Sequence, residues 1–202
     1  MIPVTPENVL KAYRRGIFPS AVSRRGPVEW YAPDPRGILP LDAVHVPRRL
    51  ARVICARRFA IDADRDFEGV IEGCADRPET WISDEIREAY VELHRRGHAH
   101  SVEARYGGRL AGGLYGVHVE GAFMAESMFH RRTDAGKVCL VALTAHLRAR
   151  GFSLLDIQQV TRATAPFGAI EIPRDEYLRR LRDALRRPAS WGWFEIDPRP
   201  SA

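Results

Sequence analysis

The stretch Leu154–Val160, LLDIQQV, puts an aspartate and an amide two residues apart inside a strand-like run of apolar side chains. On a strand, side chains two apart share a face, so Leu154, Asp156 and Gln158 point one way and Leu155, Ile157 and Gln159 the other. Burying a carboxylate is costly unless it is hydrogen-bonded, and an amide two positions along is well placed to bond a shared ligand. Two readings of Asp156 follow. It belongs to a catalytic site, or it is a strand-end carboxylate that caps a turn or pairs with one of the many arginines. A second run, GAFMAESMFHRR, repeats the pattern. Glu126 sits there among Phe123, Met124, Met128 and Phe129, where it either receives a cationic amine beside an apolar pocket or makes a structural salt bridge. Two acids on two apolar strands of one sheet favour a pocket, because a ligand site combines apolar walls with few polar groups.

Other reactive residues form no comparable set. His94, His98 and His100 resemble metal ligands, but Gly97 ends the helix between the first two and no carboxylate or cysteine completes a ligand set, so no metal is expected. Ser127 has no neighbouring histidine in sequence, which leaves a nucleophilic triad unsupported. Trp30, Tyr31 and Trp81 read as core aromatics, although Trp30 and Tyr31 lie where a ligand can reach them. Cys55, Cys74 and Cys139 are odd in number and widely spaced, with no CxxC pair; reduced and mostly buried thiols are expected.

Elements that could position these groups are legible along the chain. Thr5 is a candidate N-cap for a helix over Glu7–Arg15 that Gly16 ends. The Pro- and Gly-rich segment GIFPSAVSRRGPVEWYAPDPRGILP predicts an irregular N-terminal module, with a boundary near residue 40 that divides the chain into 1–40 and 41–202. DFEGVIEGCA and SDEIREAYVELHRRG have helical spacing, the second stopped by Gly97. The segment from His98 to Phe129 reads as a meander of strands turned at Gly107-Gly108 and Glu120-Gly121. Asp134 can cap a helix closed by Gly151, FSLLDIQQV is a strand, RDEYLRRLRDALRR a helix and WGWFEI a last strand. The pattern is α+β with a mixed sheet, in the order found in acetyltransferase-like (GNAT-like) folds.

The chain has 202 residues, enough to bury a sizeable core, and 45% of them are hydrophobic, which marks a globular protein. No apolar run approaches a membrane span and no signal peptide opens the chain, so a cytoplasmic protein is expected, with a monomer as the default. The net charge of +5 permits a nucleic-acid partner without requiring one.

AYRRGIFP, WYAPDPRGIL, TWIS, LHRRGHAHSVE, GGLYGV, ESMFHRRTDAGKV, LLDIQ and FGAIEIPRDEYL, in that order, resemble the leucyl/phenylalanyl-tRNA–protein transferases over about residues 8–180. The resemblance implies a cytoplasmic enzyme of the N-end rule pathway. It would move leucine or phenylalanine from aminoacyl-tRNA to a protein or peptide beginning with arginine or lysine, with no metal or organic cofactor. It further implies a small N-terminal domain and an acetyltransferase-like catalytic domain. Asp156 and Gln158 match the catalytic strand, with Gln158 orienting the attacking amine and Asp156, directly or through it, helping to take the proton. Glu126 matches the group that holds the amino end of the transferred residue. Leu114, Phe123, Ala125, Met128, Leu140, Leu143 and Leu155 match the side-chain pocket. Trp81 matches a contact to the terminal adenosine, and Tyr31 or Trp30 would substitute for a second stacking aromatic.

Several positions depart from the family pattern. Ser20 replaces that second aromatic, and Thr161, Ala163 and Pro166 replace an asparagine, a histidine and a small polar residue after the LDxQ strand. Gly136 stands for serine and Ala125 for glycine. Two other classes of function compete: an N-acyltransferase using acyl-coenzyme A, for which HRRTDAGKV gives a poor phosphate cradle, and a degenerate relative that binds tRNA or peptides without transfer.

Overall fold

The computed structural model describes residues 2–194. Thr5 begins helix α1 (Pro6–Tyr13), its hydroxyl accepting from the Asn8 amide and proline occupying the first turn. A hairpin follows, β1 (Phe18–Ala21) with β2 (Val28–Tyr31), then β3 (Arg36–Ile38), α2 (Arg48–Cys55), β4 (Ala60–Ala63), α3 (Phe67–Ala75) and α4 (Asp84–Arg95). The meander comprises β5 (Ala99–Tyr106), β6 (Arg109–Val119) and β7 (Ala122–His130), turned at the two predicted places. The chain continues through α5 (Ala135–Ala149), β8 (Leu154–Gln158), β9 (Ile170–Ile172) and α6 (Arg174–Leu185).

Seven strands form one mixed sheet in the order β4-β5-β6-β7-β8-β3-β9. All neighbours are antiparallel except β7 and β8, whose connection runs through α5. Each face carries its own core. Residues of α1, α3, α4 and α6 pack on one side, around Val70, Tyr90, Met124 and Tyr177. Residues of α2 and α5 pack on the other, around Ile54, Phe123, Leu143 and Leu155. The predicted α+β class with a mixed sheet is thus the observed one.

Some expectations need correction. The N-terminal module is not irregular: it contains α1 and the β1–β2 hairpin. Residues 36–38, on the N-terminal side of the boundary near residue 40, are strand β3 of the large sheet, paired with both β8 and β9. Helix α2 went unpredicted because Pro47 precedes it and no side chain caps it. Asp134 occupies the N-cap position of α5 in a left-handed conformation, with φ 72°, and its side chain makes no capping bond. Trp191–Phe194 is not in a strand, and Glu195 and Ile196 lie outside the described residues. Trp191 instead covers the second core, its ring stacked 4.3 Å from that of His100. All three cysteines are free, Cys74 and Cys139 buried and Cys55 exposed.

Two irregularities in the sheet fall near LLDIQ and AESMF. Between β6 and β7 the register steps from Tyr115↔Ser127 to Gly116↔Ala125, leaving Glu126 as the extra residue of a bulge. Between β3 and β8 it steps from Gly37↔Gln158 to Ile38↔Asp156, leaving Ile157 extra. Gly37 permits the second: a Cβ there would lie 2.6 Å from the Gln159 carbonyl carbon and 2.8 Å from its Cα. Those are backbone atoms, which cannot swing aside as a side chain does. Gly37→Ala is therefore expected to destabilise the protein by ~1–3 kcal/mol, measured as a shift of the urea unfolding midpoint.

Candidate active site

The parallel pairing of β7 with β8 covers Ala122↔Leu154, Phe123↔Leu155 and Met124↔Asp156 and goes no further. Beyond it, the bulge on β7 and the end of β8 carry the polar residues singled out in the sequence. Gln158 ends β8 in a left-handed conformation, φ 59°, and its backbone N–H donates to Asp156 Oδ1 at 2.9 Å. Its side-chain Nε2 donates to Glu126 Oε1 at 3.2 Å. The other carboxylate oxygen of Glu126 accepts from the Tyr90 hydroxyl at 3.2 Å, and Tyr90 is hydrogen-bonded to Tyr13 of α1. Two strands, a helix and the N-terminal module meet in one polar chain.

Asp156 is fully buried, and so is the arginine it faces, at 0% and 1% exposure. Arg36 grips it with two bonds, Nε to Oδ1 at 2.9 Å and Nη2 to Oδ2 at 2.7 Å. The Tyr177 hydroxyl donates to Oδ2 at 2.6 Å, and Arg36 Nη1 donates to the Gly16 carbonyl at 3.2 Å. The guanidinium also lies 4.9 Å from the Phe18 ring centre and 4.7 Å from that of Tyr177. A carboxylate has about four acceptor positions. Those of Asp156 are taken up by Arg36 twice, by Tyr177 and by the Gln158 amide. Of the two readings offered by the sequence, the turn-capping and arginine-pairing bonds are the visible ones.

A cavity of about 280 Å³ opens where the strands part, near the lower end of the ~300–1,000 Å³ usual for small ligands. Of the residues singled out in the sequence, Trp81, Leu114, Ala125, Glu126, Met128, Leu140 and Gln158 line it. Ala125 and Met128 face the same core although three apart, because the bulge at Glu126 resets the alternation. Phe123, Leu143 and Leu155 are not among the lining residues; they are buried in the core beneath α5. Asp156 lies behind the cavity, out of its lining. Trp30 and Tyr31 are not brought to it either. Trp30 walls a separate small pocket with Lys11 and Arg15, and Tyr31 is exposed, donating to Glu29 at 2.6 Å. His100 bonds Asp64 at 2.8 Å and His118 at 3.2 Å, away from these residues.

The sequence did not place Arg77, Ser127, Ile157, Gln159, Thr161, Ala163 or Thr164 in the lining. Arg77 donates to the Ser127 hydroxyl and the Met128 carbonyl, and it also borders a larger groove with Arg24 and Arg25. The departures at 161 and 163 prove to be wall residues. The Thr161 hydroxyl accepts from the Ala163 and Thr164 amides, the local turn bond that an asparagine side chain also makes. At Gly136 a Cβ would approach Met128 Cγ to 2.7 Å, so the missing side chain leaves room for a lining residue. Arg36, Tyr13, Tyr90 and Tyr177 were missed as well. Arg36, Tyr13 and Tyr177 lie in motifs that carried the resemblance.

Burial pushes Glu126 up to about 7; Asp156 nearby pushes it the same way, against the Tyr13 and Tyr90 hydroxyls and the charge of Arg36. Burial also raises the hydroxyls of Tyr13, Tyr90 and Tyr177 well above the usual phenol value, so all three are donors at neutral pH. Burial is the largest single influence on Arg36 and lowers it, but Asp156, with Tyr177 and Glu126, raises it, and its net shift is upward. Among the described residues, no helix is long and apolar enough to cross a membrane.

A family model described as leucyl/phenylalanyl-tRNA protein transferase matches residues 38–182, and one described as the N-terminal domain of that transferase matches residues 3–34. The chain is 56% identical over 184 residues to the leucyl/phenylalanyl-tRNA–protein transferase of Rubrobacter xylanophilus, covering 91% of this chain and 96% of that protein. To the protein of the same description from Gloeobacter violaceus it is 48% identical over 191 residues, covering 95% and 99%. Among solved structures, an aminoglycoside acetyltransferase from an uncultured soil metagenomic sample is similar at 15% identity and a TM-score of 0.41, over 64% of this chain and 88% of that one.

The raised Glu126 carries a stability signature. Its folded value of about 7 exceeds the ordinary 4.5, so the native protein holds that proton more tightly than the unfolded chain. The carboxyl's contribution is present below pH ~4.5 and is lost as pH rises through about 7. His118 and His146, pushed down to about 4 by burial, act in the opposite sense between pH ~4 and 6.5. The difference between wild type and Glu126→Gln isolates the glutamate. From pH 5 to pH 8, wild-type unfolding free energy should fall by ~1–3 kcal/mol more than that of Glu126→Gln, read from urea titrations at both pH values.

Proposed function

The chain belongs to the leucyl/phenylalanyl-tRNA–protein transferase family, enzymes that move an aminoacyl group from tRNA to protein, and from that premise we propose how this site performs the transfer. The cavity receives the leucine or phenylalanine side chain between Leu114, Ala125, Met128, Leu140 and Ile157. Glu126 at its mouth holds the amino group of that residue. Trp81 supports the terminal adenosine, and Arg77 with the groove beside it takes phosphates of the tRNA end. Binding to tRNA is then salt-sensitive and largely indifferent to sequence. Apolar walls reject polar side chains but separate leucine from phenylalanine only weakly.

The ester of aminoacyl-tRNA is already activated, so the main task is to set a neutral amine against its carbonyl. Gln158 is the group for this. Its Nε2 is committed to Glu126, which leaves the amide oxygen to accept an N–H of the incoming α-amine. The amine nitrogen bonds to the ester carbon, the carbon–oxygen bond to the ribose breaks, and the amine proton ends on the released ribose hydroxyl. Asp156, with its acceptor positions occupied, acts by holding the Gln158 backbone and not by taking that proton itself. The acceptor is a protein beginning with arginine or lysine, the setting cytoplasmic and the working unit a monomer. The observation that carries the reading is the Glu126–Gln158 bond at the mouth of an apolar cavity in a chain of this family.

The test incubates purified protein with leucyl-tRNA and peptides that differ only in an N-terminal arginine or alanine. Leucine should pass to the arginine peptide and not to the alanine one; no transfer with tRNA binding intact would leave a binding protein. Gln158→Ala should slow transfer about a hundredfold, the cost of a misplaced reactant, while the affinity for leucyl-tRNA stays near wild type. An equal loss in both would make Gln158 a binding group.

A further inference from the structure

We infer that Arg36 is a positioning residue for the transfer reaction, setting the conformation of Gln158 through Asp156. This rests on the reading that Gln158 faces the attacking amine. Nothing in the charge pattern of the sequence distinguishes Arg36, since most of the chain's arginines are exposed on the surface. Its surroundings do distinguish it. The guanidinium has 1% exposure, donates both Nε and Nη2 to one carboxylate, donates Nη1 to the Gly16 carbonyl, and lies beside the rings of Phe18 and Tyr177.

That environment fixes the orientation of Asp156 in three directions. The fork of Arg36 sets the plane of the carboxylate and Tyr177 binds the outer edge of Oδ2 at 2.6 Å. Oδ1 is thereby aimed at the backbone N–H of Gln158, 2.9 Å away. Gln158 needs such a constraint. It is a non-glycine residue at φ 59°, a conformation that L side chains adopt reluctantly. Released from Asp156, its backbone would relax toward negative φ, and its side chain would swing from Glu126 and from the amine it is to orient. A shift of about 1 Å in a positioning group can cost a hundredfold in rate.

Lysine cannot reproduce this geometry. It is a point charge without the two-pronged fork and without the planar face that lies against the aromatic rings. Tyr177 offers a gentler test, because Tyr177→Phe removes one bond to Asp156 and keeps the ring beside Arg36. The experiment measures kcat and KM for leucyl-tRNA and an arginine-initiated peptide in Arg36→Lys and Tyr177→Phe, together with hydrogen exchange at the Gln158 amide. Expected are a fall in kcat of about tenfold or more in Arg36→Lys and a smaller one in Tyr177→Phe. KM for leucyl-tRNA should stay near wild type, and exchange at Gln158 should speed up in the same order. A merely structural arginine would lower the amount of active protein without loosening that amide in the folded remainder. Wild-type kcat in both variants, a change confined to KM, or unchanged Gln158 exchange would overturn the inference. If Arg36→Lys does not fold, Tyr177→Phe decides alone. A wild type that transfers no leucine at all would overturn the functional reading instead. The Gln158 exchange rates would still decide whether Arg36 sets its conformation.

Discussion

The salt bridge between Arg36 and Asp156 is the constraint around which the rest of the site is arranged. Removing an arginine and an aspartate from water costs several kcal/mol per ion, and their attraction offsets that only when the geometry is good and the remaining donors and acceptors are satisfied. Here they are satisfied from five directions. β3 supplies the arginine, β8 the carboxylate and the amide that completes it, α6 a tyrosine, and the segment after α1 a carbonyl, with β1 adding an aromatic ring. Loss of either partner would strand a charge in the core at a cost of ~3–5 kcal/mol. The pair therefore adds less to net stability than it does to a single arrangement of the segments that meet there.

That arrangement serves a sheet that stops being regular at the site. A β-ladder left to itself would carry β7 and β8 onward side by side and close the space between them. Instead the pairing ends at Met124↔Asp156, and one extra residue enters on each side, Glu126 on β7 and Ile157 on β8. The extra residues turn one polar and one apolar side chain toward the opening, so a single cavity draws its walls from the α5 face and its polar mouth from the α4 face. Glycines at 37 and 136 supply close approaches that side chains would block. Burial at the mouth of this cavity also lifts Glu126 to about 7.

Much of this was readable in the sequence, and the rest was hidden for identifiable reasons. The alternation of LLDIQ and AESMF located the polar pair and the glutamate, and apolar spacing with glycine stops located α3, α4, α5, the meander and α6. Short strands such as β3 and β9 have too few residues for a period to show, and their pairing joins positions far apart in the chain. Bulges are equally silent, since no single sequence marks an unpaired residue. Arg36 was lost among many arginines because burial, the property that separates it, comes only with the fold. Phe123, Leu143 and Leu155 were grouped with the pocket on resemblance, while Thr161 and Ala163, noted as departures, are part of the wall.

The same salt bridge bears on how the protein is made. Its partners lie 120 positions apart, and the tyrosine that completes the carboxylate lies a further 21 along. During synthesis from the amino end, Arg36 emerges long before anything that can neutralise it, and the N-terminal hairpin has only part of its support. The site cannot be completed until Tyr177 has left the ribosome, after both Arg36 and Asp156 have emerged. A chain stalled before β8 would thus leave α1 and the hairpin beside an unpaired arginine. Competence to act on aminoacyl-tRNA therefore waits for α6.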